Sequence, residues 1–98
     1  MILVRDVFRL KFGKARDAKA LMQEAKKMMS ADMQARSRTL VDLTGPSYTL
    51  VWEMTCANLA SWETEMTGGM NQDEWRSWYQ KFIPLVESSY REIFTVVD

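Results

Sequence analysis

Ile2-Leu3-Val4-Arg5-Asp6-Val7-Phe8-Arg9-Leu10-Lys11-Phe12 is the stretch whose reading decides the fold of this 98-residue chain. Its even positions hold Ile2, Val4, Asp6, Phe8, Leu10 and Phe12, while Arg5, Arg9 and Lys11 stand at odd ones. A period of two predicts a β-strand with one apolar and one charged face. Asp6 is the exception on the apolar side. Gly13 then ends the strand, where a turn can use backbone conformations closed to other residues.

Outward from that strand the spacing changes. From Lys14 to about Met33, Ala18, Leu21, Met22, Ala25, Met28 and Met29 recur every three or four residues, which predicts a helix with one apolar stripe. Its methionines suit an adaptable binding surface or, more simply, a helix packed on a sheet. Lys26, Lys27, Arg36 and Arg38 gather at or beyond the helix end, where cations suit the dipole and a phosphate would find a weak site. Arg38–Leu43 reads as a short strand, Thr44-Gly45-Pro46-Ser47 as a turn, and Tyr48–Thr55 as the returning strand of a hairpin. Tyr48, Leu50, Trp52 and Met54 share one face of that strand; Thr49, Val51, Glu53 and Thr55 share the other.

Asn58 stands as the N-cap of a short helix carrying Leu59, Trp62 and Met66, which Gly68-Gly69 interrupts. Asn71 with Glu74 has the pattern of a capping box opening the next helix. Trp75, Trp78, Tyr79, Phe82, Ile83 and Val86 form that helix's apolar face, and Pro84 is expected to bend or shorten its last turn. Tyr90–Val97 is the closing strand. The order strand, helix, strand, strand, helix, strand predicts one α+β domain over residues 1–98, a ferredoxin-like two-layer sandwich with a four-stranded antiparallel sheet. Helices cover one face of such a sheet, so the other needs a partner. A chain of this length buries only roughly 60–65% of its unfolded surface, and dimerisation would widen that narrow margin.

Composition excludes several classes of function. Thirteen basic and thirteen acidic residues give no net charge, which argues against a general nucleic-acid binder. Histidine is absent, removing His-based triads, bases, metal ligands and a proximal-His haem together. Cys56 is the only cysteine, so no internal disulfide forms, and a reducing, cytoplasmic setting is expected. It reads as a small buried hydrophobe at a strand end, since no thiolate-stabilising neighbour accompanies it as a reactive thiol requires. No loop is dense enough in acids for a magnesium or calcium site, and neither a cofactor nor a bound metal is expected. There is no basic segment followed by a long apolar run, so neither a signal peptide nor membrane association is expected.

Leu10-Lys11-Phe12-Gly13-Lys14, a strand running through K-x-G-K into a helix, resembles the opening of NIPSNAP-type domains. Trp75-x-x-Trp78-Tyr79-x-Lys81-x-x-Pro84-Leu85, followed by Ser88-Ser89 and a last strand, resembles their later part. The likeness spans nearly the whole chain. It departs in the first strand, where Val4, Asp6 and Phe8 stand in place of a Glu-x-Arg-x-Tyr alternation. The resemblance implies the dimeric α+β barrel superfamily: strand order 4-1-3-2, two subunits pairing their sheets, and helices outside. Burial of the uncovered sheet face argues independently for a homodimer. Arg5, Arg9 and Glu53 fall on one alternation set of two neighbouring strands, as a polar cavity lining or as a cross-strand-paired surface.

Two functional readings follow. In the first, a non-catalytic homodimeric module binds a small apolar or aromatic ligand or serves as an interaction domain. Arg5, Arg9, Trp52, Glu53, Trp75, Trp78 and Tyr79 are the candidate ligand-binding residues, with Trp62, Trp75 and Trp78 straddling Gly68-Gly69 as a gate. In the second, the chain is a cofactor-free monooxygenase for a phenolic or anthrone-like substrate, similar to the antibiotic-biosynthesis monooxygenases of that superfamily. Asn58-x-x-x-Trp62 resembles an Asn–Trp pairing of some of those enzymes, making Asn58 and Trp62 the candidate catalytic residues, with Asn58 orienting a substrate oxygen. A base would have to come from Asp6, Asp42 or Glu53, with its pKa raised by burial. Asn58 as a plain helix cap is the simpler role.

Overall fold

The computed structural model describes residues 1–68 and 72–98. The opening stretch forms β1 (Ile2–Leu10), shorter than expected because Lys11 and Phe12 leave the sheet. Lys14 N–H donates to Lys11 C=O and Gly13 takes φ +82°, a tight turn that ends the ladder. Phe12 is exposed and lies against Tyr48 with ring centroids 5.0 Å apart.

The single helix expected over 14–33 is two. Helix α1 (Ala15–Met28) stops where Met29 turns extended, and α2 (Ala31–Arg36) starts two residues after Met29. Ser30 makes the break affordable: its hydroxyl accepts from Met33 N–H at 3.2 Å, capping the new helix. The apolar stripe survives the break, with Ala18, Met22, Ala25, Met29 and Met33 all buried. Strand β2 (Ser37–Val41) and β3 (Thr49–Cys56) form the hairpin. Helix α3 (Leu59–Gly68) begins at Asn58, whose Oδ1 accepts from Ser61 N–H at 2.8 Å. Helix α4 (Gln72–Phe82) ends in a 3-10 turn, Ile83–Leu85, with Pro84 in its first positions, as its missing N–H dictates. Gly69 and Asn71, halves of the expected glycine pair and capping box, lie outside the described residues.

Strand β4 (Val86–Thr95) starts four residues before the expected Tyr90, because Ser88 and Ser89 already pair with Arg9 and Phe8. The sheet is antiparallel in the order β2-β3-β1-β4, the ferredoxin-like order read from one edge. Leu10, Leu50, Trp52, Met54 and Cys56 face the helices and make the core with α1, α2 and α4. The other face is open and striped. One row crosses the strands as Leu40, Val51, Val7, Tyr90, and the next as Arg38, Glu53, Arg5, Glu92.

Candidate functional site

Between the sheet and helices α3 and α4 lies a cavity of about 420 Å³, and all four tryptophans of the chain line it. Helical spacing puts Trp75, Trp78 and Phe82 on one face of α4. Trp75 and Trp78 stack with centroids 4.8 Å apart and planes 6° from parallel, and Trp78 stacks on Phe82 at 4.8 Å. Phe8 of β1 meets Phe82 edge-on at 5.0 Å, and Trp52 of β3 meets Trp75 at 6.4 Å. Five rings from two strands and a helix thus form one continuous wall. Such contacts favour packing geometry beyond the area they bury. Trp78 Nε1 is satisfied by donating to Leu21 C=O, which pins α4 to α1.

The polar residue out of place on β1 is explained here. Asp6 Oδ1 accepts from Arg91 Nε at 2.6 Å, and the Arg91 guanidinium lies 4.8 Å from the centre of the Trp62 ring. Arg91 therefore joins β4, β1 and α3 at the cavity wall, through an ion pair and a cation–π contact. The sequence carried a signal for this residue: an acid on an apolar strand face needs a cation on a neighbouring strand. Trp52 makes the opposite case, a buried indole whose Nε1 has no hydrogen-bond partner among the described residues.

The candidate ligand residues divide between the two faces. Trp52, Trp75, Trp78 and Tyr79 line the inner cavity together with Trp62. Arg5 and Arg9 border a separate groove of about 430 Å³ on the open face, with Val51, Asp42 and Tyr90. Glu53 is buried between two arginines there, with Arg5 Nε at 3.0 Å and Arg38 Nε at 2.7 Å. Alternation along a strand separates the two sets, so one ligand cannot touch both within a single copy.

The Asn58–Trp62 pair divides as well. Trp62 reaches the cavity, whereas Asn58 is exposed, caps α3 and borders a different depression with Ser61, Thr64 and Glu65. The three carboxylates considered as bases all have partners. Asp6 holds Arg91, Glu53 holds two arginines, and Asp42 accepts from Thr49 N–H at 3.0 Å in the hairpin. Of these only Asp6 borders the inner cavity.

Arg36 of α2 ties α3 down from its other side. It donates to Thr55 C=O at 2.7 Å, to Glu65 Oε1 at 2.8 Å and to Asp32 Oδ2 at 2.9 Å. Burial opposes its charge, but the two carboxylates outweigh that and raise its pKa. These bonds leave Arg36 committed and remove it from the phosphate site considered above. Cys56 sits beside this cluster, and burial followed by the nearby Glu65 charge pushes its thiol pKa up. A raised pKa is the opposite of what a reactive thiol requires. Among the described residues, no group of three or more Cys, Asp and Glu side chains is placed to hold a metal ion. No helix among them is long and apolar enough to cross a membrane.

The architecture is shared by proteins of very different sequence. A NIPSNAP family protein from Agrobacterium tumefaciens superposes with a TM-score of 0.85 at 19% identity, over 99% of this chain and 93% of that one. An uncharacterized NIPSNAP-like domain protein from Burkholderia xenovorans gives 0.82 at 17% identity, over 98% and 84%. This is a NIPSNAP-like fold. SnoaB, a cofactor-independent oxygenase from Streptomyces nogalater, has the same NIPSNAP-like layout at a TM-score of 0.72 and 11% identity, over 99% and 93% of the two chains. The chain matches no protein-family model and no curated protein. Identities this low establish the fold alone.

Proposed function

We propose that this chain is a homodimeric binding module of the NIPSNAP type that takes a small, flat, aromatic ligand in its inner cavity. The observation carrying this reading is the continuous ring wall facing Trp62 across about 420 Å³. Ring stacking rewards a planar ligand and is indifferent to most of its substituents. Fluorene is a suitable plain probe, titrated by calorimetry. The expected result is saturable binding of one fluorene per protomer, weakened at least tenfold by Trp62→Ala. Absence of saturable binding would sink the reading.

The second copy is proposed to cover the open sheet face. The row Arg38, Glu53, Arg5, Glu92 alternates in sign, so a two-fold axis parallel to the strands sets Arg38 against the partner's Glu92 and Glu53 against the partner's Arg5. The same axis sets Leu40 and Val51 against the partner's Tyr90 and Val7. A two-fold axis across the strands and along this row would oppose like charges instead, which costs stability. The lone, buried cysteine supports a cytoplasmic location for the assembly.

A cofactor-independent monooxygenase remains the second reading, favoured by the shared fold with SnoaB and by Trp62 at the cavity. Anthrone with dissolved oxygen tests it. Oxygen uptake above the spontaneous rate, abolished by Trp62→Phe in a folded dimer, would establish turnover. Uptake no faster than in buffer leaves the binding module.

A further inference from the structure

We infer that the Trp52 indole N–H is the polar anchor of the inner cavity, donating to a carbonyl-type oxygen on a neutral planar aromatic ligand. This rests on the cavity reading above and adds to it the chemistry of the ligand. Trp52 is only 8% exposed, its ring lines the cavity, and its buried Nε1 has no acceptor among the described residues, so a ligand oxygen reaches the N–H once the ring tilts toward the cavity. An indole can only donate, so the group that satisfies it must accept. Buried donors are nearly always paired, because leaving one unpaired forfeits its hydration without return.

The neighbouring residues explain the missing partner. Asp6 is opposite Trp52 in the β1–β3 register and would be the natural acceptor. Its carboxylate instead serves Arg91 on β4. The other indole on the same wall with a described bond, Trp78, has found a backbone carbonyl, so an orphan donor is not a general feature of this cavity.

Electrostatics narrow the acceptor. Among the described residues, Asp6 and Arg91 are the only charged ones lining the cavity, and they are paired with each other. A ligand carboxylate or phosphate would enter without a free cation to meet it, at a large desolvation cost. A neutral oxygen on a flat ring system satisfies the donor without that cost. The aromatic ketone is the simplest such ligand.

The test compares 9-fluorenone with fluorene, which share a three-ring frame and differ at the bridging carbon, C=O against CH2. Calorimetry on the wild-type protein should find fluorenone bound roughly tenfold more tightly, the scale of one buried hydrogen bond. Trp52→Phe keeps a ring and loses the N–H, and should erase the preference, while Trp75→Phe should keep it. In wild-type protein labelled with nitrogen-15, the Trp52 indole proton should shift with fluorenone and not with fluorene, a readout independent of any variant's folding. Equal affinity for the two ligands, or a preference surviving Trp52→Phe, would overturn the assignment and leave the cavity reading standing. Binding of neither ligand would remove both.

Discussion

The two faces of the sheet are made from the same strands, yet they meet the problem of burial in different ways. The inner face buries large rings against helices and tolerates one acid, Asp6, by giving it Arg91. The open face interleaves a charged row with an apolar row and, among the described residues, buries no aromatic ring. Val7, Val51 and Glu53 are nevertheless buried within one copy, while Leu40, Tyr90 and Phe94 at the flanks are exposed. In the proposed dimer the difference separates stability from specificity: rings packed by area hold the fold, and alternating charges would choose the orientation of the second copy.

Truncation on the inner face should therefore cost most. Phe82 is nearly inaccessible and touches both Trp78 and Phe8, so Phe82→Ala should lower stability by about 3–5 kcal/mol in urea denaturation. On the open face the expected loss is of assembly. Leu40→Glu should weaken the dimer at least tenfold by sedimentation, with the protomer still folded. Arg38→Glu should weaken it similarly and Glu92→Arg in the same chain should restore it, because the two positions oppose each other across the proposed axis. Restoration failing while each single change dissociates the dimer would refute that axis.

Smaller effects sharpen the contrast. Arg91→Leu leaves Asp6 without its partner and should cost about 1 kcal/mol, less than a fully buried pair because Arg91 is half exposed. Asn58→Ala removes a cap and should cost about 1 kcal/mol, with fluorene affinity unchanged because Asn58 does not line the cavity. Cys56 should react with iodoacetamide at pH 8 at least tenfold more slowly in the folded protein than in urea. Its thiol pKa is raised by folding, so the stability it contributes is present below the ordinary thiol pKa and fades as pH climbs through the folded value.

The fold was legible because alternation and helical spacing report directly on burial. The period-two pattern grouped Ile2, Phe8 and Leu10 of β1, and Leu50, Trp52 and Met54 of β3, on what proves to be the core face, and the sheet has the ferredoxin-like order. Boundaries were less legible, since they depend on local hydrogen bonds: the Ser30 cap divided a stripe whose spacing continues unbroken past it. The site was legible only in its rings. Trp62, Trp75 and Trp78 could be grouped by spacing around one loop, whereas the division of Arg5 and Arg9 from Trp52 required strand parity to be applied across the whole sheet. Asn58 paired with Trp62 in sequence and parted from it in space, because a residue that caps a helix has already spent its side chain at the helix end. Asp6 on the apolar face of β1 signals a cation on a neighbouring strand but does not pick out Arg91, and the Trp52 N–H, without a partner among the described residues, depends on contacts between elements that no local pattern encodes.

Sedimentation velocity of the protein with 9-fluorenone, followed at a wavelength where only the ketone absorbs, tests both faces at once. The account predicts that the ketone travels with a boundary of twice the protomer mass, at one molecule per protomer. Ketone left behind by the protein, or a boundary at the protomer mass, would contradict it.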